Sequence, residues 1–598
     1  MSIWLYICAA SVAVFSISNV VFALDASVAA FPLAAVFSAA LIYFGRACFF
    51  VQGGNPKLLP VVRKLLQFLP FVLLIAFIFR RAGVIGTSFV FDAFSVFLWI
   101  LSTALSFVIL YAINTKSIEK DFPALQTTQN ADEAPKRHGV RFVLFEVFGW
   151  VDALVQAVFT VALVQIFLLQ LYVIPSESMV PEFLIGDRVA VFKTPSGSRF
   201  PLSEVGIPRF RTYKRGDIIV FRNPHYLQDR KSEIRSFVSQ IVFMLTFTAV
   251  NLNFDESGTL KADPLVKRIA GLPGEQLMMQ DGILYARTSA DAPFAPVSDD
   301  ALWAEWNVSS INPSLLSKVN TIPITGEQYA AMTDFERERN EVTYADLRND
   351  LNALDLRLKI VRQSFPRNRQ SSGIVTDAPF LSRSELFEYE LFRNHDVIAR
   401  RFLQLQDGEL WFTQFLTAWE ENLSEVFFEY TGVANVADAA HLVGGNLYSD
   451  ANFRLNLIIK KTFAQIVLRD CELIAAGIKT ADWADDSALM DALKKAEILN
   501  TYAILLDSRN MPLFPKNGVI PTDEYFMMGD NRFNSLDMRH SYDSWLEPLS
   551  EASIDPISVL YYSKMEPQAV PSRNILGSPV LRIWPWKRRG VPGLTGKK

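Results

Sequence analysis

The feature that most constrains this chain of 598 residues is the concentration of apolar residues in its first 175 positions. Five apolar segments lie in that region, at 3–24, 28–45, 60–79, 89–113 and 150–174. A membrane-crossing helix needs about 20 mostly apolar residues. The first, fourth and fifth segments meet this requirement easily, whereas Pro32 shortens the second and Arg63 with Lys64 shortens the third. The pattern predicts a membrane region, 1–175, with about five transmembrane helices.

The distribution of basic residues between these segments predicts their orientation, because cytoplasmic loops carry an excess of Lys and Arg. The loops at 46–64 and 114–141 hold nine such residues, and the opposite side offers only Arg80 and Arg81. We therefore expect a cytoplasmic N terminus, with everything after residue 175 outside. The orientation reverses if only one of the second and third segments spans. A signal peptide is the alternative for the first segment, although it has no basic n-region.

Composition and residue spacing exclude several functional classes. The net charge of −4 argues against a nucleic-acid partner. Cys8, Cys48 and Cys471 do not form a disulfide framework, and the chain has no C-x-x-C pair. The five histidines are scattered, which argues against a zinc hydrolase, and there is no Walker lysine loop or G-x-G-x-x-G. We expect neither a metal nor another cofactor.

Short β-like runs follow the membrane region. They lie at 187–193, 217–223, 264–271, 524–530 and 556–564. Between the apolar flanks of 277–287, Asp281-Gly282 is a strong hairpin signal. Many short strands without strand–helix alternation predict a mainly antiparallel β domain, with a first part at 176–287 and a second part with the C-terminal tail at 516–598.

Two stretches interrupt the β pattern. Residues 226–263 contain the apolar run 237–250, which is short for a membrane span, so we expect an interfacial hairpin at the membrane surface or a buried strand. Residues 288–515 place apolar residues three and four positions apart among mixed charges, which is typical of amphipathic helices. This predicts a mostly α-helical insertion, whose role the pattern does not indicate.

Two serines follow the last apolar segment, in the stretch IPSESMVPEFLIGDRVAV at 174–191. A serine hydroxyl is a weak nucleophile that needs a base, and none of the histidines lies in an evident motif. A lysine can serve if burial lowers its pKa. Lys267 lies in a β-like run between Val266 and Ile269, where strand alternation can direct it inward. The pattern makes Lys267 a candidate base.

Five segments resemble, in the same order, motifs of the bacterial type I signal peptidases, which are membrane-bound Ser/Lys proteases. They are PSESM, GDRVAV, RGDIIVFR, KRIAGLPGE and GDNRFNSLDMR, and the C-terminal VLRIWPWKRRG also resembles the closing segment of that family. The resemblance covers 142–225, 264–286 and 520–590. It implies a signal-peptidase-like fold: a multi-pass α-helical membrane region, then a mainly antiparallel β catalytic domain that carries the helical insertion.

Position by position, the resemblance implies four residues with chemical roles. Ser178 matches the nucleophile and Lys267 the general base. Ser176 matches the position whose hydroxyl, with the Ser178 N–H, forms the oxyanion hole. Ser535 matches the serine that orients the lysine. The charged positions of the last motif are implied to support the loop by ion pairs; they are Asp530, Arg532, Asp537 and Arg539.

Two departures from the family pattern concern pocket shape and loop packing. Pro181-Glu182-Phe183 stands where the family commonly has Pro-Thr-Leu. Phe533 and Met538 stand where the family usually carries Asp and Ser.

The function implied is cleavage of signal peptides from exported preproteins, with small residues at the cleavage site, through a Ser/Lys dyad and an acyl-enzyme. The implied location is the bacterial cytoplasmic membrane, with the catalytic domain on the external face and membrane lipid as a second partner. Two alternatives stay open: an inactive scaffold that kept the fold, and a self-cleaving Ser/Lys regulator.

Overall fold

The helices and strands described below come from a computed structural model of the chain. It describes residues 2–21, 30–49, 55–81, 89–113, 140–200, 203–226, 230–246, 250, 252–254, 258, 261–289, 292–365, 380–423 and 442–593. The predicted loop at 114–141 lies almost entirely outside these residues.

Among the described residues, the N-terminal region contains five helices. They are α1 (Ser2–Val21), α2 (Ala30–Phe49), α3 (Leu59–Arg81), α4 (Phe89–Ala112) and α5 (Val140–Phe167). Within the part of the chain that the structure describes, three stretches are long and apolar enough to cross a membrane: Leu59–Ile78, Phe89–Ala112 and Glu146–Phe167. Shorter apolar stretches occupy α1 and α2, at Ile3–Ser18 and Ala34–Phe49. By this measure the third segment, which the sequence placed among the weaker ones, is a clear candidate.

The first four helices pack around one apolar core. Serine hydroxyls pair between them, Ser11 with Ser102 at 2.7 Å and Ser16 with Ser38 at 2.7 Å. Small polar residues of this kind allow apolar helices to approach closely. In contrast, most side chains of α5 are exposed.

The fifth apolar segment is not helical to its end. Helix α5 ends at Phe167, and Leu169–Val173 forms strand β1. The predicted span 150–174 was therefore wrong at its C-terminal end. Its last residues pair with β2 (Arg188–Phe192), with Leu169 opposite Phe192 and Val173 opposite Arg188. Pairing with a distant strand decides this boundary, which an apolar run alone does not reveal.

The β domain contains thirteen strands among the described residues. After β1 and β2 they are β3 (Ile218–Phe221), β4 (Leu265–Gly271), β5 (Gln276–Gln280), β6 (Ile283–Arg287), β7 (Ala295–Pro296), β8 (Met511–Phe514), β9 (Glu524–Met528), β10 (His540–Pro548), β11 (Leu560–Met565), β12 (Val570–Pro571) and β13 (Ile575–Trp584). Each β-like run of the sequence contains a strand.

The ten pairings between these thirteen strands are all antiparallel. Seven strands form one sheet in the order β1-β2-β13-β3-β4-β9-β12, and four form another in the order β7-β6-β5-β8. The predicted hairpin joins β5 and β6, with Asp281 and Gly282 both at positive φ (52° and 78°). Such a turn matches the twist of the two strands. The predicted mainly antiparallel β domain is confirmed.

The insertion is mostly helical, as predicted. A helix before the insertion is α6 (Arg230–Leu245). The described residues of the insertion contain α7 (Pro313–Leu316), α8 (Gly326–Glu341), α9 (Tyr344–Ser364), α10 (Glu388–Arg393), α11 (His395–Gln404), α12 (Gly408–Thr417), α13 (Leu447–Ala475) and α14 (Ser487–Arg509). Helix α13 is the central element, because its buried residues cover most of its length. Lys460 of α13 forms a fully buried ion pair with Asp555 of the β domain at 2.6 Å, which joins the two parts.

The other interruption also contains a helix, α6 (Arg230–Leu245). The buried strand considered for 237–250 was therefore wrong. The helix lies against α5, where Gln240 Nε2 donates to Gln165 Oε1 at 2.5 Å. The proposed hairpin at the membrane surface stays a prediction.

Candidate active site

Ser178 lies in a short loop between β1 and β2, which we call the serine loop (175–186). Ile174 and Asp187 close its base: Ile174 N donates to Asp187 O at 2.9 Å, and Gly186 N donates to Ile174 O at 2.9 Å. Gly186 has φ 84°, a conformation in which glycine is favoured. The apolar side chains of Met179 and Phe183 are buried beneath the loop. The loop is therefore held on both sides of the serine.

Lys267 projects from β4 toward the serine. Its Nζ donates to Ser178 Oγ at 2.6 Å, and only 3% of Lys267 and 8% of Ser178 is exposed. Strand β4 pairs with β3 on one side and with β9 on the other, so the lysine backbone lies inside the seven-stranded sheet. The structure thus brings together the two residues that the sequence placed 89 positions apart.

The surroundings of Lys267 lower its pKa to about 8. Burial is the largest cause, because an ammonium loses its hydration in an apolar interior. The negative charge of Asp537 raises the pKa in part, and the positive charge of Arg539 lowers it. Roughly one lysine in ten is then neutral at pH 7, which is what a proton acceptor requires.

Ser176 lies on the exposed side of the serine loop, with its Oγ 3.4 Å from Ser178 Oγ. A hydroxyl at this position is next to the serine that a substrate carbonyl would approach. Its role as an oxyanion donor stays a prediction.

Ser535 is buried beside the serine loop, and its Oγ has no hydrogen-bond partner among the described residues. Its neighbour is Gly529. A Cβ added at Gly529 would lie 2.1 Å from Ser535 Oγ and 2.5 Å from Ser178 O, so no side chain fits between them. Ser535 is thus close to Ser178, while its role in orienting Lys267 stays a prediction.

Asn531 was not singled out in the sequence, although it lies within the last motif. Its backbone N–H donates to Ser178 O at 3.1 Å, and its Nδ2 donates to Glu177 O at 3.1 Å. These two bonds hold the carbonyl groups of the two peptide bonds that flank Ser178. The signal that could have found Asn531 is its place in the last motif, between Asp530 and Arg532, which the resemblance already implied to support the site.

The charged residues of the last motif form buried ion pairs. Arg268 contacts Asp530 with two bonds, 2.8 and 2.6 Å long, and Arg539 contacts Asp537 with two bonds, 2.8 and 3.0 Å long. Asp537 Oδ2 also accepts from Gly529 N at 2.8 Å. Burial alone would raise the pKa of Asp537, but the Arg539 charge and its hydrogen bonds hold that pKa well below its usual range. Asp537 is therefore a fixed negative charge near Lys267.

The insertion contributes directly to this site. Arg532 pairs with Asp300, which lies just after β7. The buried carboxylate of Glu177 accepts from the backbone N–H of Asn320 at 2.5 Å and of Thr321 at 3.0 Å. The segment 308–321 therefore covers the back of the serine loop, a contact that the sequence did not suggest.

The departures from the family pattern have structural reasons. Phe183 is fully buried in the core below the serine loop, and Arg582 Nη1 donates to Glu182 O at 2.6 Å. Phe533 packs edge-on against Trp306, with ring centroids 5.3 Å apart, at the border with the insertion core. Met538 is fully buried in the core of the β domain. These residues serve packing around the site.

The described residues include no group of three or more His, Cys, Asp or Glu placed to hold a metal ion.

Comparison with known proteins matches the regions of the chain that contain the candidate site. A family model described as "Signal peptidase, peptidase S26" matches residues 147–309 and 484–584, which include Ser178, Lys267 and the last motif. The gap between these ranges corresponds to most of the helical insertion.

Among curated proteins, the chain is 25% identical over 214 residues to signal peptidase I of Bacillus licheniformis, covering 35% of this chain and 82% of that protein. It is 42% identical over 65 residues to signal peptidase I of Buchnera aphidicola subsp. Baizongia pistaciae (strain Bp), covering 11% of this chain and 21% of that protein. A signal peptidase I of Buchnera aphidicola subsp. Schizaphis graminum (strain Sg) is 35% identical over 77 residues, 13% of this chain and 25% of that protein. The chain thus spans about a quarter or less of the two Buchnera proteins. These matches confirm the resemblance to type I signal peptidases.

Proposed function

We propose that this chain, which resembles the type I signal peptidases in motifs and in fold, is a membrane-bound serine endopeptidase that removes signal peptides from exported preproteins. The observation that carries the proposal is the 2.6 Å contact between Lys267 Nζ and Ser178 Oγ in a buried setting. A lysine with its pKa lowered to about 8 suits the role of a general base for a serine.

The reaction follows from this pair. Neutral Lys267 accepts the proton of the Ser178 hydroxyl while Oγ attacks the scissile carbonyl carbon. The resulting oxyanion accepts hydrogen bonds from the Ser176 hydroxyl and the Ser178 N–H, the kind of donor pair that stabilises developing charge. Protonated Lys267 then gives its proton to the leaving amine, and the carbon–nitrogen bond breaks to leave an acyl-enzyme. Lys267, neutral again, takes a proton from water while the water oxygen attacks the acyl carbon. Protonated Lys267 then returns that proton to Ser178 Oγ as the ester bond breaks, which releases the product acid.

The proposed substrate reaches the site at the membrane surface. Helix α5 ends at Phe167, and the serine loop follows after the five-residue strand β1. The cleavage site of a membrane-inserted signal peptide emerges at the same level. We propose a multi-pass protein of the bacterial cytoplasmic membrane, with the catalytic domain on the external face and small substrate residues next to the cleaved bond.

Cleavage of a preprotein by the purified full-length chain in proteoliposomes tests the proposal. Ser178→Ala and Lys267→Ala should each leave the preprotein uncut, whereas Lys516→Gln, an exposed position outside the site, should cleave at the wild-type rate. Unchanged cleavage by either dyad variant would exclude the dyad. A wild-type chain that folds but cuts no preprotein would favour the inactive scaffold, and loss of the intact chain on incubation would favour a self-cleaving regulator.

A further inference from the structure

A large cavity lies between the end of α5, the helix α6 and the seven-stranded sheet. Its volume is about 990 Å³. Ile166 of α5, Gln170 and Tyr172 of β1, and Phe237 and Phe243 of α6 contribute to its walls. Neither the dyad nor the serine loop lines it. The cavity is therefore distinct from the candidate active site.

One wall of this cavity packs against two of the apolar helices, α4 and α5. Phe200, a lining residue, packs against Phe167 at the end of α5 and against Trp99 of α4, with ring centroids 4.7 and 5.3 Å apart. Ser203 Oγ, from the same wall, donates to Asp92 Oδ2 in the first turn of α4 at 2.8 Å. Phe167 is the last residue of α5 and Asp92 lies in the first turn of α4, whereas Trp99 lies further along α4. The wall therefore borders the end of one candidate span and the start of another, where such helices leave the bilayer.

The cavity has more cationic than anionic lining residues. The cationic residues are Lys193, Arg199, Arg222, Lys261 and Arg573, and the anionic residues are Glu204 and Asp263. Arg199 and Glu204 pair with each other. Asp263 accepts a hydrogen bond from Asn223 N at 2.9 Å. An excess of cationic groups remains among the residues that line this cavity.

Lys193 is one of these cationic residues, and its surroundings make its protonated form less favourable. Among the described residues it forms no ion pair, and its Nζ donates to the neutral Gln170 Oε1 at 3.2 Å. Burial, followed by the positive charge of Arg222, lowers the pKa of Lys193 to about 8. An anion between these cations would reverse that effect, because an opposite charge favours the protonated amine.

We propose that this cavity binds the phosphate group of an anionic lipid headgroup, with Lys193 and Arg573 as cationic contacts. The basic side chains suit a phosphate, which Lys and Arg bind through charge-assisted hydrogen bonds. The apolar side chains of Ile166, Phe237 and Phe243 line the same space and suit an acyl chain, which a free phosphate ion lacks. This site is independent of the Ser178–Lys267 chemistry.

Lipid binding by the purified full-length protein in detergent tests the proposal, with native mass spectrometry as the readout. The probes are phosphatidylglycerol, phosphatidylcholine and inorganic phosphate alone. Lys193→Gln and Arg573→Gln should each weaken phosphatidylglycerol binding by about tenfold, the loss expected for one hydrogen bond to a charged group. Lys193→Arg, which keeps the charge, and Lys516→Gln, which lies outside the cavity, should bind as the wild type does. Thermal unfolding of each variant verifies that it is folded. If Lys193→Gln does not fold, Arg573→Gln alone tests the proposal, because the side chain of Arg573 is exposed.

Three results would overturn the proposal. The first is wild-type phosphatidylglycerol binding in both glutamine variants. The second is equal binding of phosphatidylcholine, since a net-neutral headgroup does not satisfy the cationic excess. The third is displacement of phosphatidylglycerol by millimolar inorganic phosphate, which would identify a free phosphate as the occupant. Because none of these measurements uses proteolysis, a failure here is separate from a failure of the proposed function.

Discussion

Asn531 donates its backbone N–H to the carbonyl oxygen of Ser178, and its side-chain amide to the carbonyl oxygen of Glu177. The loop after β9 thereby fixes the peptide that carries the candidate nucleophile. Lys267 approaches the same serine from β4, the neighbouring strand of β9 in the sheet. The spacing of the dyad therefore depends on the pairing of β4 with β9 as much as on the serine loop itself.

Replacement of the Asn531 side chain should impair chemistry more than substrate binding. Asn531→Ala removes the donor to Glu177 O and leaves a buried carbonyl without it, a cost of about 1–3 kcal/mol. We expect kcat to fall about tenfold or more with KM nearly unchanged, because the bond orients Ser178 and does not contact substrate. Steady-state kinetics on a preprotein measure both constants. Asn349→Ala, at an exposed position of α9, is the control, and a pure KM effect for Asn531→Ala would contradict this role.

The rate of cleavage should rise with pH as Lys267 loses its proton. Its pKa is lowered to about 8, and only the neutral amine accepts the serine proton. We expect kcat/KM to increase about tenfold per pH unit below about pH 8 and to level off above it. Lys267→Arg should be inactive at every pH, because a guanidinium stays protonated. A profile that levels off near pH 6.5 would instead indicate a histidine.

Lys267 should also reduce the stability of the fold. Its pKa falls from the ordinary lysine value of 10.5 to about 8 on folding, which corresponds to about 3 kcal/mol at neutral pH. The folded chain holds fewer protons than the unfolded chain between these values. Through Lys267 the free energy of unfolding should therefore rise with pH from about 8 to 10.5. Lys193, whose pKa is also lowered to about 8, contributes a rise in the same range. Lys267→Met should therefore reduce the rise, and it should unfold at higher denaturant concentration at about pH 7.

The second buried lysine gives a matched contrast. Lys460 forms its fully buried ion pair with Asp555, so Lys460→Met would leave a carboxylate without its partner charge. We expect this variant to lose about 3–5 kcal/mol of unfolding free energy. Denaturation of the two methionine variants under the same conditions should thus show shifts of opposite sign. Shifts of the same sign would mean that burial of Lys267 carries no net cost.

Gly529→Ala should inactivate the protein. The new Cβ would lie 2.1 Å from Ser535 Oγ and 2.5 Å from Ser178 O, and the backbone carbonyl at the nucleophile has to move to relieve that contact. We expect loss of cleavage by about a hundredfold or more, in line with a displacement of about 1 Å at a reacting group. Gly149→Ala, where the new Cβ meets nothing within 4 Å, is the control. Wild-type activity in Gly529→Ala would contradict this prediction, because it would show that the serine loop can move away from the new Cβ without loss of catalysis.

Glu177 should couple the insertion to the serine loop. Glu177→Ala removes the acceptor for the N–H groups of Asn320 and Thr321, and those amides should exchange hydrogen faster with solvent. Hydrogen-exchange mass spectrometry of the peptide around 312–321 measures the effect. Glu327→Ala, at an exposed position of α8, should leave that peptide unchanged. Equal protection in both variants would separate the insertion from the serine loop.

Several features of the protein could be predicted from the sequence because they depend on local patterns of residues. The long apolar runs predicted membrane helices, since chain length and hydrophobicity alone meet that requirement. The Asp281-Gly282 turn predicted the β5–β6 hairpin through its backbone preferences. The serine and lysine motifs predicted which residues to pair, although only through resemblance to a known family.

Other features were decided by contacts between distant parts of the chain. The end of α5 at Phe167 depends on the pairing of β1 with β2, and a short strand as rich in apolar residues as Leu169–Val173 is hard to tell from the end of a membrane helix by composition. The bonds from Asn531 to the serine loop and from the insertion to Glu177 join residues that no local pattern connects. The lowered pKa of Lys267 likewise arises from burial and from Asp537 and Arg539, because charge and desolvation act through space and not along the sequence.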